Sequence, residues 1–371
     1  MTSLFLDPPL FWQPEVKGFD GLHAPIYCFL ISHVDRHILF DLGVRRDWEN
    51  YAPKTVDLIR STTICRTEKN ISEILDEHAD QLGAEGAVRS TEIEAVIWSH
   101  HHFDHTGDPS TFPPSTELVV GPGTKKHCWP AYPSNPESLM LDADIEGRAV
   151  REIDFAAEPL QIGGFDAFDY FGDGSFYLLD SPGHSLGHIT GFTRVTTAGD
   201  GNSQNDTFVF MGADACHHTG VLRPTAYLPL PTHLSPCPEE LLSHPCPGDV
   251  LRRLQPSNSA TEPFFTVSTV LFPDQDASKD TVRKITELDA ADNIFVILAH
   301  DESIKNYIPL FPLSVNDWRA KDVRSDTRWL FCKDFVKAVE ETTTEDGLST
   351  AGKGLHVSLS ATDIPCHDVE G

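Results

Sequence analysis

The sequence predicts an α/β fold: two stacked β-sheets with helices on the outside. Three observations lead there. Many short, β-prone apolar runs are separated by turn residues; two segments carry apolar residues at helical spacing; and several runs end directly in a His or Asp. Short strands mixed with helices bury their faces best as layers. The 371 residues, 40% hydrophobic and 9% aromatic, suffice for a sizeable core. Residues 1–341 are expected to form one domain with a Pro-rich insertion at 221–263, and 342–371 a polar tail.

In chain order, Pro25 to Ser32 and His37 to Leu42 are apolar and β-prone, and Val34-Asp35-Arg36 between them is turn-like. This reads as a β-hairpin ended by Gly43. Ile71, Ile74, Leu75, His78 and Leu82 share one helical face. Asn70 with Glu73 resembles a capping box, and Gly83 suits the C-terminal stop. Ile93 to Trp98 is a buried strand, and Leu118 to Val120 is another, stopped by Gly121-Pro122-Gly123. Phe165 to Phe171 and Phe176 to Leu179 flank Gly172-Asp173-Gly174. Ile189 to Val195, Phe208 to Met211 and Ile294 to Leu298 are further strands. Val221 to Pro263 holds nine of the 27 prolines and is read as irregular. Asp326 to Glu340 places Trp329, Cys332, Val336 and Val339 at helical spacing.

The formal net charge is -28, which repels nucleic acid and anionic membrane surfaces. No run approaches the ~18 apolar residues of a membrane span. The start, MTSLFLDPPLFWQPE, lacks the basic and apolar regions of a signal peptide. Eight cysteines without framework spacing suit free thiols in a reducing, cytoplasmic setting.

The chemistry-bearing stretch is SHHHFDHTGD, residues 99–108. His100, His102, Asp104 and His105 form H-x-H-x-D-H just past a strand. His184 follows FYLLD, Asp214 follows FVFMG, and His300 follows IFVIL. Loops at strand ends can converge at one edge of a layered sheet. Neutral imidazole and carboxylate suit zinc, and also iron or manganese. Seven such residues in one recurring context point to a metal site rather than a chance cluster.

This set resembles the metallo-β-lactamase superfamily. SHHHFDHTGD together with PGHSLGHITG is most similar to its N-acyl homoserine lactonase-like branch of lactonase and lactamase type hydrolases. Phe40-Asp41-Leu42-Gly43 looks like the family's early strand-end Asp, and Glu92 to Ser99 like its helix-strand lead-in. The resemblance implies an αββα sandwich of two mixed sheets flanked by helices, with the site at one edge between them. It implies that His100, His102 and His184 hold one metal, that Asp104, His105 and His300 hold a second, and that Asp214 bridges both. The implied cofactor is two Zn2+, with iron or manganese as options. The implied reaction is attack of a metal-activated hydroxide on a neutral cyclic ester or amide. Asp104 is the natural proton carrier to an amine leaving group.

Lactonases of this branch often carry a Tyr three residues after the bridging Asp. Here that position is His217, followed by His218. An imidazole can donate a hydrogen bond or a proton. That leaves room for lactams, and the ADACHH stretch is comparable to that of fungal lactamases that open fused aromatic lactams. The expected partner is a small neutral lactone, lactam or ester, with no nucleic acid and no membrane; a homodimer is one option.

Rival readings stay open. A thioesterase or glyoxalase II-like hydrolase, or a mono-iron persulfide dioxygenase, would use a similar motif. Gly183-His184-Ser185-Leu186-Gly187 matches G-x-S-x-G, the serine nucleophile elbow, but the segment after it reads as strand rather than helix. His101 is expected to pack away from the metals. His188, Asp41 and Asp301 are candidates for contacts to ligands. His233, Cys237, His244 and Cys246 are spaced unlike a structural zinc site, and a lid-like loop is the preferred reading. With such a lid, Tyr227, Phe264 and Phe265 would either line the pocket or pack on a sheet.

Overall fold

Side chains alternate between the two faces of a strand, and this alternation sorts the molecule into layers. In strand Arg36–Phe40, Ile38 and Phe40 enter one core while Leu39 enters another. In strand Ile93–Ile97, Ala95 and Ile97 share the first core and Val96 the second. The structure, a computed structural model, describes residues 3–82, 87–199, 206–235, 246–255 and 257–345.

One sheet has five strands, in the order Phe29–His33, Arg36–Phe40, Ile93–Ile97, Glu117–Val120, Val150–Glu152. Its first pair is antiparallel and the rest are parallel. The other has six, in the order Ile294–Ile297, Thr207–Met211, Ile189–Thr196, Phe176–Asp180, Phe165–Asp169, Gln161–Ile162. Only its Thr207–Met211 and Ile294–Ile297 pair is parallel.

The inner core joins Ile31, Ile38, Phe40 and Ile97 of the first sheet to Phe176, Leu178, Val209 and Met211 of the second. The outer face of the first sheet packs Leu39, Val96 and Leu118 against Leu75 of helix Ile71–Leu82. The outer face of the second packs Leu179, Phe210 and Val296 against Ile285 of helix Gln275–Ala290. Helix, sheet, sheet and helix therefore stack as the predicted αββα sandwich. Among the described residues, no helix is long and apolar enough to cross a membrane. Cys28, Cys65, Cys128 and Cys216 carry free thiols.

The hairpin forms as expected, with Phe29 paired to Phe40. Helix Ile71–Leu82 also forms, but it buries Ser72, Leu75 and Ala79, while Ile74 and Leu82 stay exposed. Its capping box is half made. Glu73 takes the Asn70 backbone N–H at 2.8 Å, whereas the Asn70 side chain accepts from Arg46 N. Gly83 lies outside the described residues.

The single helix expected over Asp326 to Glu340 is instead three short pieces: Val323–Thr327, a 3-10 segment Leu330–Phe335, and Val336–Glu345. Turning Phe331, Cys332 and Phe335 together into the outer core breaks the continuous helix. The last helix runs to Glu345, past the expected start of the tail at Thr342; residues 346–371 lie outside the described residues. Within the insertion, strand His233–Leu234 pairs with Cys246–Pro247, and a helix covers Gly248–Arg252. Cys237 and His244 lie outside the described residues.

Candidate metal centre

Four strands deliver the site from their C-terminal ends. Ile93–Ile97 leads to His100 and His102, Phe176–Asp180 to His184, Thr207–Met211 to Asp214, and Ile294–Ile297 to His300. Asp104 and His105 sit on a one-turn helix, Phe103–Thr106. The loops approach closely. A Cβ on Gly121 would stand 2.0 Å from the Gly187 carbonyl oxygen, so the turn after Val120 packs directly under the His184 loop, and Gly187 itself has φ +69°.

The seven predicted residues meet. His100, His102, His184 and Asp214 form one group, and Asp104, His105, His300 and Asp214 another; the donor atoms of each group lie within 4.8 Å of one another. Asp214 divides its carboxylate between them. Oδ1 is 3.1 Å from His105 Nε2 and 3.2 Å from His300 Nε2. Oδ2 is 3.5 Å from His184 Nε2 and 3.7 Å from His100 Nε2. His102 Nδ1 is 3.0 Å from His184 Nε2, and Asp104 Oδ2 is 3.5 Å from His105 Nε2 and 3.3 Å from His300 Nε2.

Other groups hold these rings from behind. The Asp41 carboxylate accepts from His105 Nδ1 at 2.8 Å and from Ser99 N at 2.7 Å. His300 Nδ1 donates to the Pro25 carbonyl at 2.9 Å. With Nδ1 engaged, Nε2 of each ring faces the cluster unprotonated when the imidazole is neutral, as a metal ligand must.

The donors fit a cation. His100 Nε2, His105 Nε2 and Asp214 Oδ1 are buried and make no hydrogen bond, a costly state unless something positive completes them. The electrostatics agree. Burial disfavours the imidazolium of His300, but Asp214 and Asp104 more than offset this and push its pKa up to about 10. Burial likewise opposes charge on His105, yet Asp214, Asp104 and Asp41 raise its pKa well above the usual value. His100 and His184 are held well below it, first by burial and then by neighbouring imidazoles.

The cluster forms the floor of a cavity of about 340 Å³. Its walls are Leu4, Phe5, Leu6, Leu10 and Phe11 from the N-terminal segment, Leu58 of helix Pro53–Thr62, Phe103, Leu139, Val270 and Leu271. Among the described residues, no Lys or Arg lines it. The Thr55 hydroxyl donates to Leu139 O, Thr62 to Leu58 O and Thr63 to Phe5 O, so these donors are engaged internally.

Residues 23–197 match the sequence profile of the metallo-beta-lactamase superfamily. The chain is 54% identical over 348 residues to the metallo-hydrolase mfmC of Annulohypoxylon moriforme, covering 94% of this chain and 88% of that one. The chain belongs to the metallo-beta-lactamase superfamily.

Other superfamily relatives include a gamma-lactamase of Fusarium pseudograminearum, 38% identical over 93% of this chain and 83% of that one. The cytochrome P450 monooxygenase mpaDE of Penicillium roqueforti is 53% identical over 92% of this chain, which spans only 37% of that longer protein. The fold is also that of a solved N-acyl homoserine lactone hydrolase holding the product N-hexanoyl-L-homoserine at its catalytic metal center. The TM-score is 0.51 with 16% identity, covering 84% of this chain and 94% of that one.

Within this superfamily framework the remaining candidates find definite places. His217 Nε2 is 2.9 Å from Asp214 Oδ2, and its ring stacks on His300 and meets Phe11. His218 turns away, accepting from Gly220 N amid Trp12, Phe19 and Phe265. His101 stays out of both ligand groups and packs on His127, although it lines the cavity. Asp301 holds no ligand: it caps Glu302–Ile304 and accepts from the Thr219 hydroxyl.

The serine reading is overturned. The Ser185 hydroxyl is buried without a hydrogen-bond partner, and strand Ile189–Thr196 follows in place of the elbow's helix. Phe264 and Phe265 pack in the outer core and Tyr227 is exposed, so none of the three lines the cavity. The real wall, Leu4 to Phe11, was missed. Its one local signal was the apolar run SLFL before Pro8-Pro9.

Proposed function

We propose that the protein is a metal-dependent hydrolase that opens a neutral cyclic ester or amide, a lactone or lactam, at two metal ions. The observation that carries this reading is the divided Asp214 carboxylate, with Oδ2 toward His184 and His100 and Oδ1 toward His105 and His300. His100, His102 and His184 would hold one ion, Asp104, His105 and His300 the other, and Asp214 both. Imidazole and carboxylate sets of this size suit zinc, and iron or manganese accept the same donors. Bound there, the ions would polarise a carbonyl and supply a nucleophilic water near neutral pH.

The chain's own groups do the rest. Asp41 and Pro25 hold the His105 and His300 rings so that little reorganisation is needed during reaction. Asp104, on the floor of the cavity, carries a proton to the leaving atom, which an amine needs and an alkoxide does not. His217 Nε2 lies 2.9 Å from Asp214 Oδ2 and, turned from that contact, would donate toward the substrate carbonyl or leaving atom. The apolar walls exclude water, which strengthens each of these interactions. Among the described residues they carry no cation to pair an anionic substrate, and the net charge of -28 repels one. The gamma-lactamase relative supports a lactam among the candidates.

A hydrolysis screen over lactones, lactams, aryl esters and thioesters, with metal content measured on the same sample, tests the reading. The expected result is two zinc ions per chain with ring opening of a lactone or lactam. One iron per chain with no hydrolysis of any class would contradict it and favour the dioxygenase rival.

A further inference from the structure

We infer that His188 is a positioning residue that locks Asp214 to the loop bearing His184; the inference rests on the two-ion reading above. His188 lies four residues past a proposed ligand and is fully buried, with its ring centroid 5.8 Å from that of His184 and 5.2 Å from that of His100. Both of its ring nitrogens are nevertheless engaged elsewhere. The backbone N–H of Asp214 donates to His188 Nε2 at 3.2 Å. That nitrogen therefore carries no proton in the neutral ring, and the one ring proton sits on Nδ1. Nδ1 donates to the Ser181 carbonyl at 2.9 Å, with the Ser181 hydroxyl also 2.9 Å away. An imidazole committed at both nitrogens is no metal ligand.

Its two bonds join two loops of the site. Ser181 and His188 close the His184 loop, because Ser181 N donates to His188 O and His188 N to Ser185 O. The next residue, Ile189, donates its N–H to Ser99 O, beside His100. On the other side, Ala213 precedes Asp214 with φ +43°, a region that residues with a Cβ rarely adopt. A turn held in that conformation persists only where its surroundings over-determine it. The bond from Asp214 N to His188 Nε2 is such a restraint. Without it, a buried N–H loses its acceptor, and the turn can relax and rotate the carboxylate away from its divided position.

Cobalt(II) uptake distinguishes positioning from packing. Wild type, His188→Leu and His188→Gln are prepared metal-free and titrated with cobalt(II) against a chelator, with the visible spectrum recorded. Gln places an amide oxygen near the Nε2 position and can accept from Asp214 N; Leu cannot. The Leu variant is expected to bind cobalt about 10–100-fold more weakly with an altered spectrum. The Gln variant is expected to recover most of the affinity and the wild-type spectrum. If Leu does not fold, His188→Asn takes its place, since the shorter amide reaches Ser181 but not Asp214. Wild-type affinity and spectrum in the Leu or Asn variant would overturn the inference while leaving the two-ion reading intact. So would a Gln variant as impaired as the Leu or Asn variant. A wild-type protein that takes up no cobalt would overturn that reading and this inference with it.

Discussion

Asp41 accepts the Nδ1–H of His105 at 2.8 Å. The contact joins the end of strand Arg36–Phe40 to the one-turn helix that carries Asp104 and His105. Asp41 reaches it with φ +64°, a conformation that Asp and Asn tolerate better than most residues. Its other oxygen takes Ser99 N at 2.7 Å, so one carboxylate fixes both ends of the H-x-H-x-D-H loop. Asp41→Asn keeps the backbone preference but can satisfy only one of these donors with its oxygen. We expect metal affinity to fall about 10–100-fold, read by metal content after graded chelation. Wild-type retention of metal would show that Asp41 does not orient His105.

His217 Nε2 stands 2.9 Å from Asp214 Oδ2. If it supplies a proton, the need is greatest where the leaving atom is an amine. His217→Phe keeps the ring packing on Phe11 and Phe272 and removes the nitrogen. We expect kcat to fall about 100-fold or more on a lactam and about tenfold or less on the matching lactone. Equal losses on the two substrates would remove the proton-donor role.

Asp144 provides a pH test away from the cluster. Burial pushes its carboxyl up to about 7, against the opposing pull of the Leu141 N–H and of Arg45. The folded state thus holds a proton that the unfolded state releases near pH 4. Between those values the native form binds more protons, so this group makes stability fall as pH rises from about 4 to about 7. The full effect is up to about 4 kcal/mol. Asp144→Asn removes it, so the stability advantage of the variant should grow with pH across that window and level off above it. Chemical denaturation of both proteins at several pH values measures this; a constant difference would refute the buried neutral carboxyl.

The candidate ligands were readable because His100, His184, Asp214 and His300 each follow an apolar run with no intervening element. Strand direction alone then carries His100, His184, Asp214 and His300 to one edge of the sandwich. The cavity walls were not readable for the opposite reason. Leu4 and Leu6 are placed by pairing Ser3–Leu6 with Leu22–Pro25, and Trp12–Gln13 pairs with Thr266–Val267 far along the chain. Helix Pro53–Thr62 buries only Thr55, Val56 and Ile59, too thin a stripe to stand out as an amphipathic pattern. His188 was readable as a candidate for a contact to a ligand, but its partner was not, because its contact with Asp214 spans 26 residues.

The central claim is that two cations share Asp214. Anomalous diffraction from crystals of the zinc-loaded protein, collected on both sides of the zinc edge, tests it most directly. The account predicts two peaks, one among His100, His102 and His184 and one among Asp104, His105 and His300, with the Asp214 carboxylate between them. A single peak, or peaks away from Asp214, would contradict it.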